Sequence, residues 1–168
     1  MVALLKNGTS PRGSVMGPMA DVVYRSTQHL SEADLEAMAV FLKELPDRTP
    51  AATATPAPSR DADVMARGAR IYDQRCAYCH GDAGQGAEGA YPPLAGNRAV
   101  TMDSTVNLMQ VVRLGGFLPS TAGNPRPYGM PPFSHVLDDN DIAAVLTYVR
   151  GSWGNDAAPV SPRETARR

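Results

Sequence analysis

The chain has 168 residues, with 16 Lys+Arg against 17 Asp+Glu and a formal net charge of −1 at neutral pH. Its basic residues are dispersed, which argues against a nucleic-acid partner, and no stretch approaches the roughly 18 apolar residues of a membrane span. Two cysteines and three histidines are too few for a zinc ribbon, which needs about four ligands from separated places.

The first residues, Met1-Val2-Ala3-Leu4-Leu5-Lys6-Asn7-Gly8, lack the charged start and sustained apolar run of a secretory signal. The segment Leu30 to Leu45 predicts a helix. Ser31 stands as N-cap three residues before Asp34, and Leu35, Met38, Ala39 and Leu42 share one face. Residues 1–45, with one such helix, cannot bury a sufficient core alone. Residues 46–60 are rich in Pro, Ala and Thr without apolar period, which reads as a semi-extended linker.

Residues 61–154 predict a compact helical unit. A helix capped by Asp61 or Asp63 runs to about Arg75 and leads into Cys76-Ala77-Tyr78-Cys79-His80. Gly81 to Gly96 is a Gly- and Pro-rich loop. A second helix spans Ser104 to Leu114 with Leu108, Val111 and Val112 inward, and Gly115-Gly116 stops it. Residues 117–134 form another loop, with five prolines. The last helix starts at Asp138 or Asp139 and turns Ile142, Val145, Leu146 and Val149 to the core. The tail 155–168 has no periodicity and is expected to be disordered.

Cys-x-x-Cys-His is the attachment signature of a c-type haem. Cys76 and Cys79 would add across the haem vinyl groups as thioethers, and His80 would be the proximal iron ligand. A thioredoxin-like dithiol would need a strand before the motif, but Val64, Ala66, Ala69, Ile71 and Tyr72 form a helical pattern instead. A disulfide across two residues would be strained and close almost no loop. The unit has little apolar core for its length, and a buried porphyrin would supply the missing centre. Haem attachment to such motifs takes place outside the bacterial cytoplasm. The missing signal therefore leads to the expectation of a carboxyl-terminal piece of a longer exported protein, or of a misplaced start.

The second axial ligand is a methionine or a histidine. Met130 stands in Tyr128-Gly129-Met130-Pro131-Pro132-Phe133, where glycine permits close backbone approach and the prolines stiffen the loop. His135 is the rival, and an open sixth position is the third possibility. Met102, Met109 and Met65 read as packing residues. The Pro92 carbonyl is a candidate acceptor for the other ring N–H of His80, with a rigid turn as its plain alternative. Arg98, Arg113 and Arg126 are candidates to pair with haem propionates, each of them equally a surface charge. Tyr78 reads as packing, and Trp153 as a core or propionate-edge residue.

With these residues in place, 61–154 resembles a class I cytochrome c domain, an all-α fold around covalent haem c. Gly68, Tyr72 and Cys76 fall at that family's four-residue intervals, and Tyr148 matches the aromatic of the last helix that crosses them. More narrowly, the segments 89–97, 123–133 and 151–155 resemble the third haem domain of the triple-haem cytochrome subunits of bacterial membrane-associated dehydrogenases. Gly17-Pro18-Met19-Ala20-Asp21-Val22-Val23 and the helix to Leu45 look like the second half of the preceding haem domain. Met19 matches the axial position there. No attachment motif precedes it, so Met19 is an orphan axial residue, expected to be buried in a collapsed remnant.

The resemblance implies a His80/Met130-ligated haem that transfers electrons without binding substrate. The implied partners are a catalytic dehydrogenase subunit of quinoprotein, flavin or molybdenum type, with ubiquinone or another cytochrome as acceptor. The implied location is the periplasm, with membrane association only through partners or segments outside this chain. A peroxidase-like haem enzyme with an open sixth position and a non-functional fragment of a multihaem subunit are the alternatives.

Overall fold

The computed structural model describes residues 1–46 and 60–166, so the linker predicted at 46–60 lies almost wholly outside the described residues. The architecture is mainly helical, as expected, with two short antiparallel hairpins of two-residue strands added to it.

Residues 1–46 form a small layered unit. Helix α1 (Val2–Asn7) is followed by the hairpin β1 (Thr9–Ser10) and β2 (Gly13–Ser14), then α2 (Pro18–Arg25), a 3-10 turn at Thr27–His29 and α3 (Glu32–Glu44). Ser31 caps α3 as predicted, its hydroxyl accepting from the Asp34 amide at 3.1 Å. Val23 and Leu35 are fully buried and Ala39 nearly so, but Met38 and Leu42 stay exposed. The predicted apolar face of α3 is therefore only half used. The unit does not stand alone: the Arg98 amide donates to the Arg12 carbonyl at 3.1 Å, the Thr121 hydroxyl to the Asn7 carbonyl at 3.4 Å, and Gly8 lies tight against Pro119.

The second unit is built on two crossing helices. In α4 (Ala62–Arg75) the Asp61 carboxylate accepts from the amides of Asp63 and Val64 at 2.8 and 3.2 Å, an N-cap worth about 1 kcal/mol. In α8 (Asp139–Gly151) Asp138 and Asp141 form a reciprocal capping box. Arg67 of α4 fixes the crossing from outside, its Nε and Nη2 donating to Asp141 at 2.8 and 2.7 Å. At the crossing, Tyr72 stacks obliquely on Tyr148 and Trp153, with centroids 5.6 and 4.8 Å apart. Between these helices lie α5 (Ala77–His80), α6 (Arg98–Thr101), α7 (Val106–Leu114) and the hairpin β3 (Gly116–Phe117) with β4 (Gly129–Met130), in which Gly116 faces Met130.

Helix α8 runs through the middle, with Ile142, Val145, Leu146 and Val149 buried as the pattern predicted. One side meets Met109 and Val160, and the other meets Tyr72 and Val100, with Cys76, Ala77 and Leu94 at the margin. This second cluster places apolar contacts directly behind the Cys-x-x-Cys-His turn.

The expected disorder of the tail is corrected as far as Ala166. Ala157, Val160 and Thr165 are buried, and α9 (Pro162–Ala166) packs on α8. Arg150, only 1 % exposed, donates to the carbonyls of Ala158, Val100 and Met102 at 2.7, 2.6 and 2.8 Å. Single anchors one to five residues apart hold this segment, which is why it carries no helical or strand period.

Candidate haem site

Cys76 ends α4 and caps α5, a single turn in which the amides of Cys79 and His80 donate to the Cys76 carbonyl at 3.1 and 2.9 Å. Spacings of three and four residues put the side chains of a helical turn on one face. Both thiols are unbridged and half-buried. Burial, with the neighbouring Cys79 adding to it, pushes the Cys76 thiol up to about 11. Redox-active dithiols show the opposite, a lowered thiol pKa, so the pair does not have the electrostatics of a thioredoxin-like site.

His80 Nδ1 lies 3.0 Å from the Pro92 carbonyl. A carbonyl can only accept, so Nδ1 carries the proton and Nε2 keeps its lone pair for a metal. Burial lowers the imidazole pKa against the opposing effect of the Pro92 bond. The loop that presents Pro92 is folded back tightly. The Gly86 amide donates to the His80 carbonyl at 2.7 Å, and the amides of Leu94 and Ala95 donate to the Gly84 carbonyl at 2.7 and 2.9 Å. Gly86 has φ +66°, and a Cβ there would run into the backbone of Tyr91 to Pro93.

Met130, in β4, is half-buried and lines an open groove of about 400 Å³ together with Leu114, Phe117, Pro131 and Pro132. The same loop touches the loop that presents Pro92 through one aromatic contact: Tyr128 tilts against Tyr91 with centroids 5.1 Å apart. His135, in contrast, is exposed in the turn beyond the loop.

The remaining sequence candidates divide. Pro92 takes the position expected of it. Arg98 heads α6 and Arg126 lies in the loop, both exposed, with no side-chain partner among the described residues. Arg113 is committed elsewhere, donating to Asp139 at 2.9 Å and to the Thr165 carbonyl at 2.5 Å. Met109 is core, as read, whereas Met102 is 50 % exposed, because α6 ends at it and turns its side chain outward. Tyr78 is 94 % exposed rather than packed, since α5 offers only one face to the interior. Met19 is not the buried methionine expected; it is 45 % exposed on α2. The sequence reading gave no role to Asn97 or Asn155, although both are buried polar residues next to the Pro92 loop.

The sequence model of the cytochrome c family matches residues 65–153. The chain belongs to the cytochrome c family. Its cofactor is accordingly haem c, covalently bound. The residues present fit that group: two half-buried thiols and an imidazole on one turn, with the ring already in the tautomer of a ligand.

Among similar proteins, an "Alcohol dehydrogenase (quinone), cytochrome c subunit" of Gluconobacter oxydans is 37% identical over 163 residues, 94% of this chain and 34% of that protein. A "Gluconate 2-dehydrogenase cytochrome c subunit" of Pantoea cypripedii is 34% identical over 171 residues, 96% of this chain and 38% of that protein. A "Cytochrome c-552" of Thermus thermophilus is 38% identical over 96 residues, 55% of this chain and 64% of that protein. The chain thus spans about a third of the length of the dehydrogenase subunits it matches. Among the described residues no helix is long and apolar enough to cross a membrane.

Proposed function

We propose that this cytochrome c carries single electrons for a dehydrogenase complex, with His80 and Met130 as axial residues. The observation that carries the reading is the His80 Nδ1 bond to the Pro92 carbonyl at 3.0 Å, which leaves Nε2 as the ligand atom on the attachment turn. When bound, haem c supplies a one-electron couple at its iron. Cys76 and Cys79 would tether it through thioethers, and His80 and Met130, the latter on the stiff Gly129-to-Pro132 turn, would hold its iron. Arg98 and Arg126 are free to pair with propionates. A soft thioether raises the reduction potential relative to a second imidazole.

The catalytic partner is a dehydrogenase subunit, a reading supported by the likeness to the alcohol and gluconate dehydrogenase cytochrome subunits, and quinoprotein, flavin and molybdenum types are the candidates for it. Ubiquinone or another cytochrome is the acceptor, and the site of action is the periplasm. Residues 1–45 are read as the second half of a preceding haem unit, in which Met19 is the orphan axial residue.

The test is spectroscopic, on the haem-loaded full chain. Wild type is expected to be low-spin, with a methionine-to-ferric-iron charge-transfer band that Met130→Ala abolishes while lowering the midpoint potential. A high-spin wild-type ferric state, or a band that survives Met130→Ala, would overturn the assignment.

A further inference from the structure

We propose that Asn155, beyond the end of the matched cytochrome c segment at residue 153, is a positioning residue for His80. The inference rests on the reading of His80 as an axial residue and concerns how that ring is held.

Asn155 is 5 % exposed and spends its whole amide on backbone. Its Oδ1 accepts from the Gly96 amide at 2.9 Å, and its Nδ2 donates to the carbonyls of Leu94 at 3.1 Å and Val149 at 2.9 Å. One side chain thus ties the loop that presents Pro92 to the last turn of α8. Asn97 closes the same end of the loop, donating to the Pro93 carbonyl at 2.8 Å and accepting from the Ala99 amide at 2.9 Å. Pro92 has no N–H of its own. The carbonyl that accepts the His80 N–H bond is therefore followed directly by carbonyls at 93 and 94 that two asparagine side chains hold.

Asn155 is itself anchored by a tight turn, with the Asn155 amide donating to the Ser152 carbonyl at 2.9 Å and the Ala157 amide donating to the Arg150 carbonyl at 3.0 Å. Within this turn Trp153 adopts φ +54°, the one positive φ outside glycine among the described residues. Such a conformation costs about 1 kcal/mol or more and persists only where surrounding contacts fix it. Here the Trp153 ring is clamped against Tyr72, Tyr148 and Gly84.

A carbonyl bound to the outer ring nitrogen makes an imidazole a stronger electron donor to a metal. If Asn155 holds that carbonyl in place, Asn155→Ala weakens the Nδ1 bond and the oxidised iron is stabilised less. The expected result in the haem-loaded full chain is a higher midpoint potential and exchange of the His80 Nδ1 proton faster by about tenfold, the effect of losing one net hydrogen bond. The Met130 charge-transfer band should remain. Asn155→Leu keeps the volume, loses all three bonds without adding a charge, and should shift both readouts the same way; it serves if the alanine variant does not fold. Asp156→Ala removes the neighbouring ion pair to Arg60 at 3.0 Å and should change neither.

Unchanged potential and proton exchange in both Asn155 variants, with stability alone reduced, would reduce Asn155 to a structural residue. A failure of the His80 assignment would appear differently, as an abnormal wild-type spectrum before any variant is made.

Discussion

Gly68 of α4 lies directly against the Ala144 carbonyl of α8, so close that a Cβ at position 68 would overlap that oxygen and the Tyr148 Cβ. The two helices meet at this point because one of them has no side chain there. Helix propensity favours alanine over glycine by about 1 kcal/mol, and a gain would follow if propensity decided. The obstacle is backbone, which cannot rotate aside, so Gly68→Ala is expected to destabilise by about 2 kcal/mol and Gly68→Val by about 3 kcal/mol. Denaturant titration of the haem-loaded chain measures it, and a neutral Gly68→Ala would show that the crossing is looser than described.

Each thiol is expected to make its own thioether. Cys76→Ala and Cys79→Ala should each retain haem through one bond, with the alkaline pyridine spectrum shifted to the red by the extra free vinyl group. The double variant should lose its haem to acid-acetone extraction. Retention of unextractable haem in the double variant would rule out attachment at this motif.

Arg150 has no carboxylate within ion-pairing distance among the described residues, and its guanidinium is spent on three carbonyls from two separate segments. Arg150→Met keeps the length and removes a buried charge, but it strands those carbonyls at about 1 kcal/mol each. A net loss of about 3 kcal/mol is expected by thermal or denaturant unfolding. Arg150→Lys should recover less than half of it, because one ammonium cannot reproduce the planar fork.

Glu164 fastens α9, accepting from the Ser161 amide and hydroxyl at 2.8 Å each and from the Thr105 hydroxyl at 3.3 Å. These bonds, that to the Ser161 amide first, hold its carboxyl below the ordinary value of 4.5. The unfolded chain therefore takes up this proton at higher pH than the folded one. The contribution is fully present above 4.5 and is lost as pH falls through the lowered folded value. The protection of α9 amides, corrected for the intrinsic pH dependence of exchange, should fall on acidification below that point, and Glu164→Gln should flatten this dependence; an identical protection profile in the variant would exclude Glu164 as its source.

Legibility in the sequence followed the range of the forces involved. The helices capped by Ser31, Asp61 and Asp138 were readable because a cap and an apolar period are both local. The α8 core positions followed from that same period. The tail was misread because Ala157, Val160 and Thr165 are anchors to distant partners, not members of a repeat. Helix α6, four residues long, is too short to show any period. At the site, the cysteines, His80 and Pro92 were visible as a motif and its neighbour loop. Asn155 was not, because its contacts lie 59 and 61 residues away and nothing near it in sequence marks a buried amide. Met19 was misjudged for a related reason: half a helical face can be left uncovered, and composition does not reveal which half.

The contacts that Asn7, Gly8 and Arg12 make with Thr121, Pro119 and Arg98 mean that the covalent link from Pro46 to Arg60 is not what alone joins the two units. Severed between those residues, the chain would behave as a two-piece assembly whose halves find each other again, and the amino-terminal piece would be held against the loop that joins β3 to β4.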